Sequence, residues 1–410
     1  MTTRNRVAIL AALAAAFAVQ SVPTNAQQAT YKYATPIPPG VVSPDKVETR
    51  FGTLRLLGGF PDEQSTEKIF DNLDFQRAVK AYLFALPAVS LAAMRKGFAQ
   101  WGPANATVLI FADLMDSRSI FLTANDNTSY SAMWIDLREG PLVVEIPPKV
   151  LGVVDDFWFR YVVDVGFVGP DHGDGGKYLM LPPDYKREVP DGYIVVRPRT
   201  YGNWLFFRTF LVDGDPKPGV DLVKQQMKVY PLSGAASPPS LSFVDVSGQY
   251  FNTVAPADYS FWEMLSQIVH EEPTESLDDV RLGFYASVGI ENGKPFAPDE
   301  RSKKLLAEAA AFGDASARAI TYRNRQQGAY YYEDSSWKRL FIGGYKFEVE
   351  PGVLNLDGYD QFYFFATGVT PAKRLFSTGS ALLGPPGASA FALLSGANRT
   401  LAQGLRCSDL

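Results

Sequence analysis

Apolar residues recur at helical spacing from Ser65 to about Gly102, where Ile69, Leu73, Val79, Leu83 and Leu86 fall on one stripe. Ser65 is placed to cap the start by accepting backbone N–H bonds. Pro87 is expected to break or kink this helix, because proline lacks the N–H and crowds the preceding turn. From Ala106 to Leu211 the pattern changes to short β-type runs: TVLIFADL, RSIFLTA, YSAMWIDL, PLVVEIP, FWFRYVVDVGFV, KYLMLPP, GYIVVRPR and NWLFFRTFL. Gly, Pro, Asn and Asp clusters separate them, which is the pattern of an antiparallel sandwich or barrel. Helical signals return over 257–270 and over 299–312, the latter closed by Gly313 as a C-cap, with a third helix expected over 314–325 after a tight bend. β-type patterning resumes with AYYYE, FIGGYKFEV and QFYFFATGV. The fold class is therefore mainly β with helical insertions.

Length and composition agree with a globular chain. The 410 residues, 46% hydrophobic and 13% aromatic, suffice for two or three cored domains. The first 26 residues read as an export signal: Arg4 and Arg6 give a positive start, Val7 to Val19 is uncharged and apolar, and Thr24-Asn25-Ala26 offers a small-residue cleavage site. The apolar stretch is shorter than the roughly 20 residues a bilayer span needs, although an uncleaved anchor is the alternative. Removing Arg4 and Arg6 takes the formal charge from -5 to -7, and such an acidic surface argues against nucleic acid as the partner. The mature chain is expected in the periplasm or secreted, without a membrane span after cleavage. Cys407 stands alone, so no disulfide framework is expected.

The stretch GPDHGDGGKYLMLPP, 169–183, invites comparison with nucleotide and calcium loops. A phosphate loop needs G-x-x-x-x-G-K followed by Ser or Thr, but Asp171 holds the first glycine position and Tyr178 follows Lys177. Calcium loops alternate acidic residues, whereas Asp171 and Asp174 are three apart. A glycine-rich turn between two strands explains the spacing, while loops at a sandwich end remain binding candidates. Asn125, Thr128 and Tyr130 form a second polar cluster suited to a sugar or carboxylate, with turn formation as the simpler account. Asp155 and Asp156 lead the FWFRYVVDVGFV strand and point to opposite faces. Asp156 and Asp164 share parity, and an ion pair with Lys177 or Arg208 is the preferred reading over acid–base catalysis. His172 and His270 are too few for a usual zinc site, HEEPT lacks the second histidine of H-E-x-x-H, and no G-x-S-x-G elbow is present. Neither a metal nor a cofactor is expected. Trp134, Trp158 and Trp204 read as core, with sugar stacking as the alternative.

The segments DLREGPLVVEIPP (136–148), DDFWFRYVVDVGFVGPD (155–171), GGKYLMLPPDY (175–185) and PDGYIVVRPRTY (190–201), with Thr123, Ala124, Asn125, Thr128 and Tyr130, resemble bacterial proteins with paired DUF1254 and DUF1214 domains. The resemblance runs from about Gly52 to Pro371. It implies an N-terminal immunoglobulin-like β-sandwich, a small helical unit and a C-terminal jelly roll, without an established activity. The expected organisation is a signal peptide at 1–26, a lead segment and helices at 27–105, a DUF1254-like sandwich at 106–245 and a helical unit at 246–327. An incomplete DUF1214-like jelly roll follows at 328–376, then an off-family tail at 377–410. Family members continue beyond the Thr370-Pro371-Ala372 motif with further strands, whereas this chain has no tryptophan after Trp337 and no tyrosine after Tyr363. A shifted frame or truncation near Ser377 is the expectation, with unpaired edges in the last domain.

Two functions fit these residues. The first is a binding protein for a small polar or carbohydrate-like ligand or an envelope component, held by loops carrying Asn125, Thr128, Tyr130, Asp171, Lys177 and Arg208. The second is a hydrolase or lyase on carbohydrate-like substrates, with Asp156 or Asp164 as acid or base and Tyr130 assisting. Homo-oligomer formation is left open.

Overall fold

The computed structural model describes residues 38–116, 118–120, 128–326, 328–332, 338–339 and 341–367. The expected signal peptide, Asn125, the Thr370-Pro371-Ala372 motif, Cys407 and the off-family tail lie outside the described residues. The chain divides into two compact units between Lys68 and Ile69.

In the first unit, strands β1 (Lys46–Thr49), β2 (Gly52–Leu57) and β3 (Phe60–Pro61) form a small antiparallel sheet. Helix α1 spans Glu63–Ala99. Its start is capped by Asp62, whose Oδ1 accepts the Ser65 N–H at 2.8 Å, and not by Ser65, whose Oγ accepts the Arg55 N–H at 2.8 Å. Pro87 sits inside an unbroken helix. The lost backbone bond is tolerated because Ala85, Leu86, Ala88 and Val89 around it are buried in the core. Helix α1 is long and apolar enough to cross a membrane by length and composition, yet 67% of its most apolar window is buried in the protein, as packing of a core helix requires.

The second unit continues with β4 (Thr107–Ile110), β5 (Ser119–Ile120), β6 (Ser129–Asp136), β7 (Leu142–Ile146), β8 (Val150–Asp156), β9 (Tyr161–Gly166), β10 (Gly176–Met180), β11 (Ile194–Val196) and β12 (Gly202–Thr209). Then come α2 (Lys217–Gln226), β13 (Lys228–Pro231), β14 (Ser242–Asp245), β15 (Phe251–Asn252), α3 (Ser260–Glu271), α4 (Asp279–Ser287), α5 (Glu300–Tyr322), β16 (Glu348–Glu350), β17 (Val353–Leu354) and α6 (Leu356–Ala366). A six-stranded sheet, ordered β14-β4-β6-β12-β8-β9, and a four-stranded sheet, β11-β10-β7-β13, dominate the unit. Both are mixed and not purely antiparallel, since β14 runs parallel to β4 and β11 parallel to β10.

Alternation along the central strands sets the layers. Met133, Ile135, Leu205 and Phe207 join Leu142, Val144, Tyr178 and Met180 of the four-stranded sheet in one apolar layer. On the opposite face, Tyr130, Ala132, Trp134 and Trp204 join Tyr82, Leu91, Phe261, Trp262, Leu306 and Phe364 of the helices in a second core. Strands β6 and β12 are thus covered on both sides, which explains why they read as nearly continuous apolar runs.

Several sequence expectations change. The FWFRYVVDVGFV run is not one strand. Asp155 and Asp156 close β8, and a tight turn with Phe159 at φ 58° leads into β9. The two helices expected over 299–312 and 314–325 are one, Glu300–Tyr322. Gly313 lies in its interior, where a Cβ would press into the Tyr82 ring, so the glycine serves close helix packing and does not terminate the helix. Residues 361–366 of the QFYFFATGV stretch fall in helix α6, because their aromatics gain burial against the helical core and the neighbouring turn. In FIGGYKFEV only the end is extended, pairing β16 with β17. Helices α2 and α4 were not anticipated.

Candidate functional site

Helix α1, strands β4 and β6 and helix α3 enclose a cleft of about 530 Å³ in the second unit. Its apolar floor is Ala92, Phe98, Leu109, Trp134 and Met264, and its charged wall is Arg95, Lys96, Asp136, Arg138 and Glu271. Local structure places each group. Strand β6 ends at Asp136, and a turn closed by the Gly140 N–H to the Leu137 carbonyl brings Arg138 back beside it. Asp136 Oδ1 accepts the Arg138 backbone N–H at 3.0 Å and its Nε–H at 2.9 Å. Burial pushes the Asp136 carboxyl up, but these bonds outweigh it and hold the group below the usual carboxylate range. Across the cleft, Arg95 pairs with Glu271 at the end of α3, and its guanidinium lies 4.8 Å from the Phe157 ring centroid and 5.8 Å from that of Trp134.

Two lining donors lack a hydrogen-bond partner among the described residues: Thr107 Oγ1 and Trp134 Nε1, in side chains that are 6% and 4% exposed. An unpaired polar atom at such depth costs about 1–3 kcal/mol, a cost that a hydrogen bond to a bound molecule would offset. Lys96 is exposed on the rim and has no ion-pair partner among the described residues. One residue beyond Glu271, Glu272 accepts the backbone N–H groups of Tyr201 at 2.6 Å and Gly202 at 2.9 Å, tying the end of α3 to the start of β12. Burial raises its carboxyl to about 7 despite those bonds.

Of the residues singled out in the sequence Trp134 lines the cleft, while the candidate site residues lie elsewhere. Tyr130 is buried in β6, stacked on Phe206 at 4.8 Å with the Arg208 guanidinium 5.4 Å from its centroid. Thr128 is buried at the entrance to β6. Asp171 is buried in the glycine-rich turn, where Oδ1 accepts the Gly166 N–H at 2.8 Å and the Tyr178 hydroxyl at 2.5 Å. His172 and Gly173 adopt positive φ there, so the segment 169–175 is built as a turn. Lys177 faces solvent, 3.7 Å from Glu145. His270 Nδ1 accepts the Gly293 N–H at 3.2 Å. Among the described residues, no group of three or more His, Cys, Asp or Glu is placed to hold a metal ion.

The expected ion pair of Asp156 and Asp164 with Lys177 or Arg208 is corrected. Asp156, 2% exposed, takes the guanidinium of Arg160 through Nε at 2.8 Å and Nη2 at 2.6 Å, and also accepts the Trp158 N–H. Asp164 sits on β9 opposite Val153 and meets the Tyr161 hydroxyl at 3.3 Å. Asp155 is the acid without a hydrogen-bond donor among the described residues. It stands opposite Trp204 in β12, and burial followed by repulsion from Asp156 and Asp164 raises it to about 7. This group lies away from the cleft and is 9% exposed.

The cleft residues were only partly signalled by sequence. Asp136 and Arg138 lie in the DLREGPL stretch, and Glu271 in HEEPT, but Arg95 and Lys96 look like ordinary surface charges of a helix. Their convergence depends on the packing of α1 and α3 over one sheet face.

The chain is similar to a structural-genomics protein of Vibrio parahaemolyticus at 16% identity, covering 73% of this chain and 67% of that one with a TM-score of 0.48. It is similar to an uncharacterized protein of Burkholderia cenocepacia at 13% identity, covering 64% and 61% with a TM-score of 0.23. No curated protein matches the chain. Residues 106–231, which carry β4 to β13 and contribute Thr107, Leu109, Trp134, Asp136 and Arg138 to the cleft, match the family model of DUF1254, a protein of unknown function.

Proposed function

We propose that this is an exported binding protein of the DUF1254/DUF1214 kind that holds a small polar or carbohydrate-like ligand in the cleft between α1, β4, β6 and α3. One observation carries the reading: a cleft of about 530 Å³ in which Thr107 Oγ1 and Trp134 Nε1 are unpaired between two arginine–carboxylate pairs. The volume suits a small ligand. The sandwich loops serve less well, because Thr128, Tyr130 and Asp171 are buried and Asp171 and Tyr130 are engaged within the protein. The two facing sheets with their common core support an immunoglobulin-like sandwich as part of this reading. The jelly-roll assignment of 328–376 rests on the family resemblance alone.

Screening the mature protein by thermal shift against neutral sugars, sugar acids and phosphates, followed by calorimetry on hits, tests the proposal. Thr107→Val should weaken binding of a true cleft ligand roughly tenfold, the loss of one hydrogen bond of about 1.4 kcal/mol. A ligand whose affinity ignores Thr107 and Trp134 does not occupy the cleft. N-terminal sequencing of exported protein should begin after Ala26.

The hydrolase or lyase reading keeps one supporting observation, the Asp155 carboxyl raised to about 7 beside Asp164. The raised acids Asp155, Glu272 and Asp360 all lie outside the cleft lining, which favours binding over turnover there. Turnover of a cleft ligand that is lost in Asp155→Asn would reverse that preference.

A further inference from the structure

We infer that the cleft selects a sugar acid, a small polyhydroxylated molecule bearing a single carboxylate, in preference to a neutral sugar or a phosphorylated one. The inference rests on the cleft being the binding site and adds the ligand's charge and functional groups.

The charge inventory of the wall sets the anion. Arg95, Lys96 and Arg138 face the cleft with Glu271 and Asp136. Each arginine is already matched by one carboxylate, Arg95 by Glu271 and Arg138 by Asp136. Lys96 alone is uncompensated, so the wall carries one net positive charge. A carboxylate monoanion balances it. A phosphate dianion would leave one negative charge in excess beside Glu271 and Asp136. A neutral sugar would leave Lys96 without a counter-charge.

The body of the ligand follows from the remaining groups. Thr107 Oγ1 both donates and accepts, Trp134 Nε1 donates, and the Gln267 amide does both, which suits hydroxyl groups. The ring faces of Trp134 are not a stacking platform: Phe157 meets the ring edge-on at 4.8 Å and Arg95 lies over it. Recognition by hydrogen bonds to hydroxyls therefore outweighs stacking, and a flat aromatic acid fits less well than a polyol carboxylate. Lys96 meets carboxylate oxygens by a charge-assisted bond.

Calorimetry of the mature full-length protein at low salt with D-glucuronate, D-glucose and a glucose phosphate distinguishes the cases. Glucuronate is expected to bind at least tenfold tighter than either of the others. Lys96→Gln should remove that preference without a change in melting temperature, because Lys96 is exposed, and added salt should weaken glucuronate binding more than glucose binding. Thr107→Val should weaken glucuronate and glucose alike. Equal binding of glucose and glucuronate, or tighter binding of the phosphate, overturns the sugar-acid inference while leaving the cleft reading standing. Failure of all three to bind refutes both.

Discussion

Asp155 gives the sharpest test of how this fold handles charge. The residue is 9% exposed, and its carboxyl receives no hydrogen bond from the described residues and is raised from 3.8 to about 7 by burial and by repulsion from Asp156 and Asp164. In the unfolded chain Asp155 loses its proton near its ordinary value, while the folded chain keeps the proton until about 7. Between those values the folded state binds more protons, so stability falls as pH rises through the window and is level above it. About three pKa units at about 1.4 kcal/mol each set a ceiling of about 4 kcal/mol. Asparagine has nearly the same shape and cannot ionise. Asp155→Asn should match the wild type near about pH 4 and exceed it by about 1–4 kcal/mol near about pH 8. Urea unfolding followed by tryptophan fluorescence at both pH values measures the difference. Taking the difference between the two proteins removes Glu272 and Asp360, whose raised carboxyls drift the same way. A variant less stable than wild type by the same amount at both pH values would falsify the account, since the effect would then be packing and not protonation.

Further outcomes follow from single contacts. Gly313→Ala should destabilise by about 1–3 kcal/mol, because the added methyl presses on the buried Tyr82 ring. Its control, Gly283→Ala in the exposed part of α4, meets nothing within 4 Å and should stabilise by about 0.5–1 kcal/mol; equal signs for the two changes in denaturant midpoint would contradict the packing argument. Asp156→Ala strands the Arg160 guanidinium, which is three-quarters buried, and should cost about 3–5 kcal/mol in unfolding free energy. Loss of an activity in Asp156→Ala with unchanged stability would instead restore its catalytic candidacy. Glu272→Ala leaves the Tyr201 and Gly202 N–H groups unpaired and should lower stability by at least about 2 kcal/mol, read as earlier thermal unfolding.

Much of the middle of the chain was legible. The runs over β6, β7, β10 and β12 announce strands because alternating side chains feed two cores. Asp299 before α5 announces its start, accepting the Ser302 N–H at 2.7 Å. The candidate site was less legible. Asp171 and Tyr130 carry the residue types of a binding site, yet both are consumed by internal contacts. Arg95 and Lys96, unremarkable in a helix, become part of a cleft wall only when α3 delivers Glu271 opposite them.

By itself, the sequence determined local matters: where the strands of the middle third and helices α1, α3 and α5 lie, which turns need glycine, and which faces are apolar. These depend on side-chain periodicity and backbone sterics within a few residues. Tertiary structure decided the rest. It kept α1 whole across Pro87, continued α5 through Gly313, turned 361–366 into helix and gave Asp156 to Arg160. Each of those outcomes is set by burial against residues distant in the chain, where a few kcal/mol of packing or charge pairing outweighs local propensity.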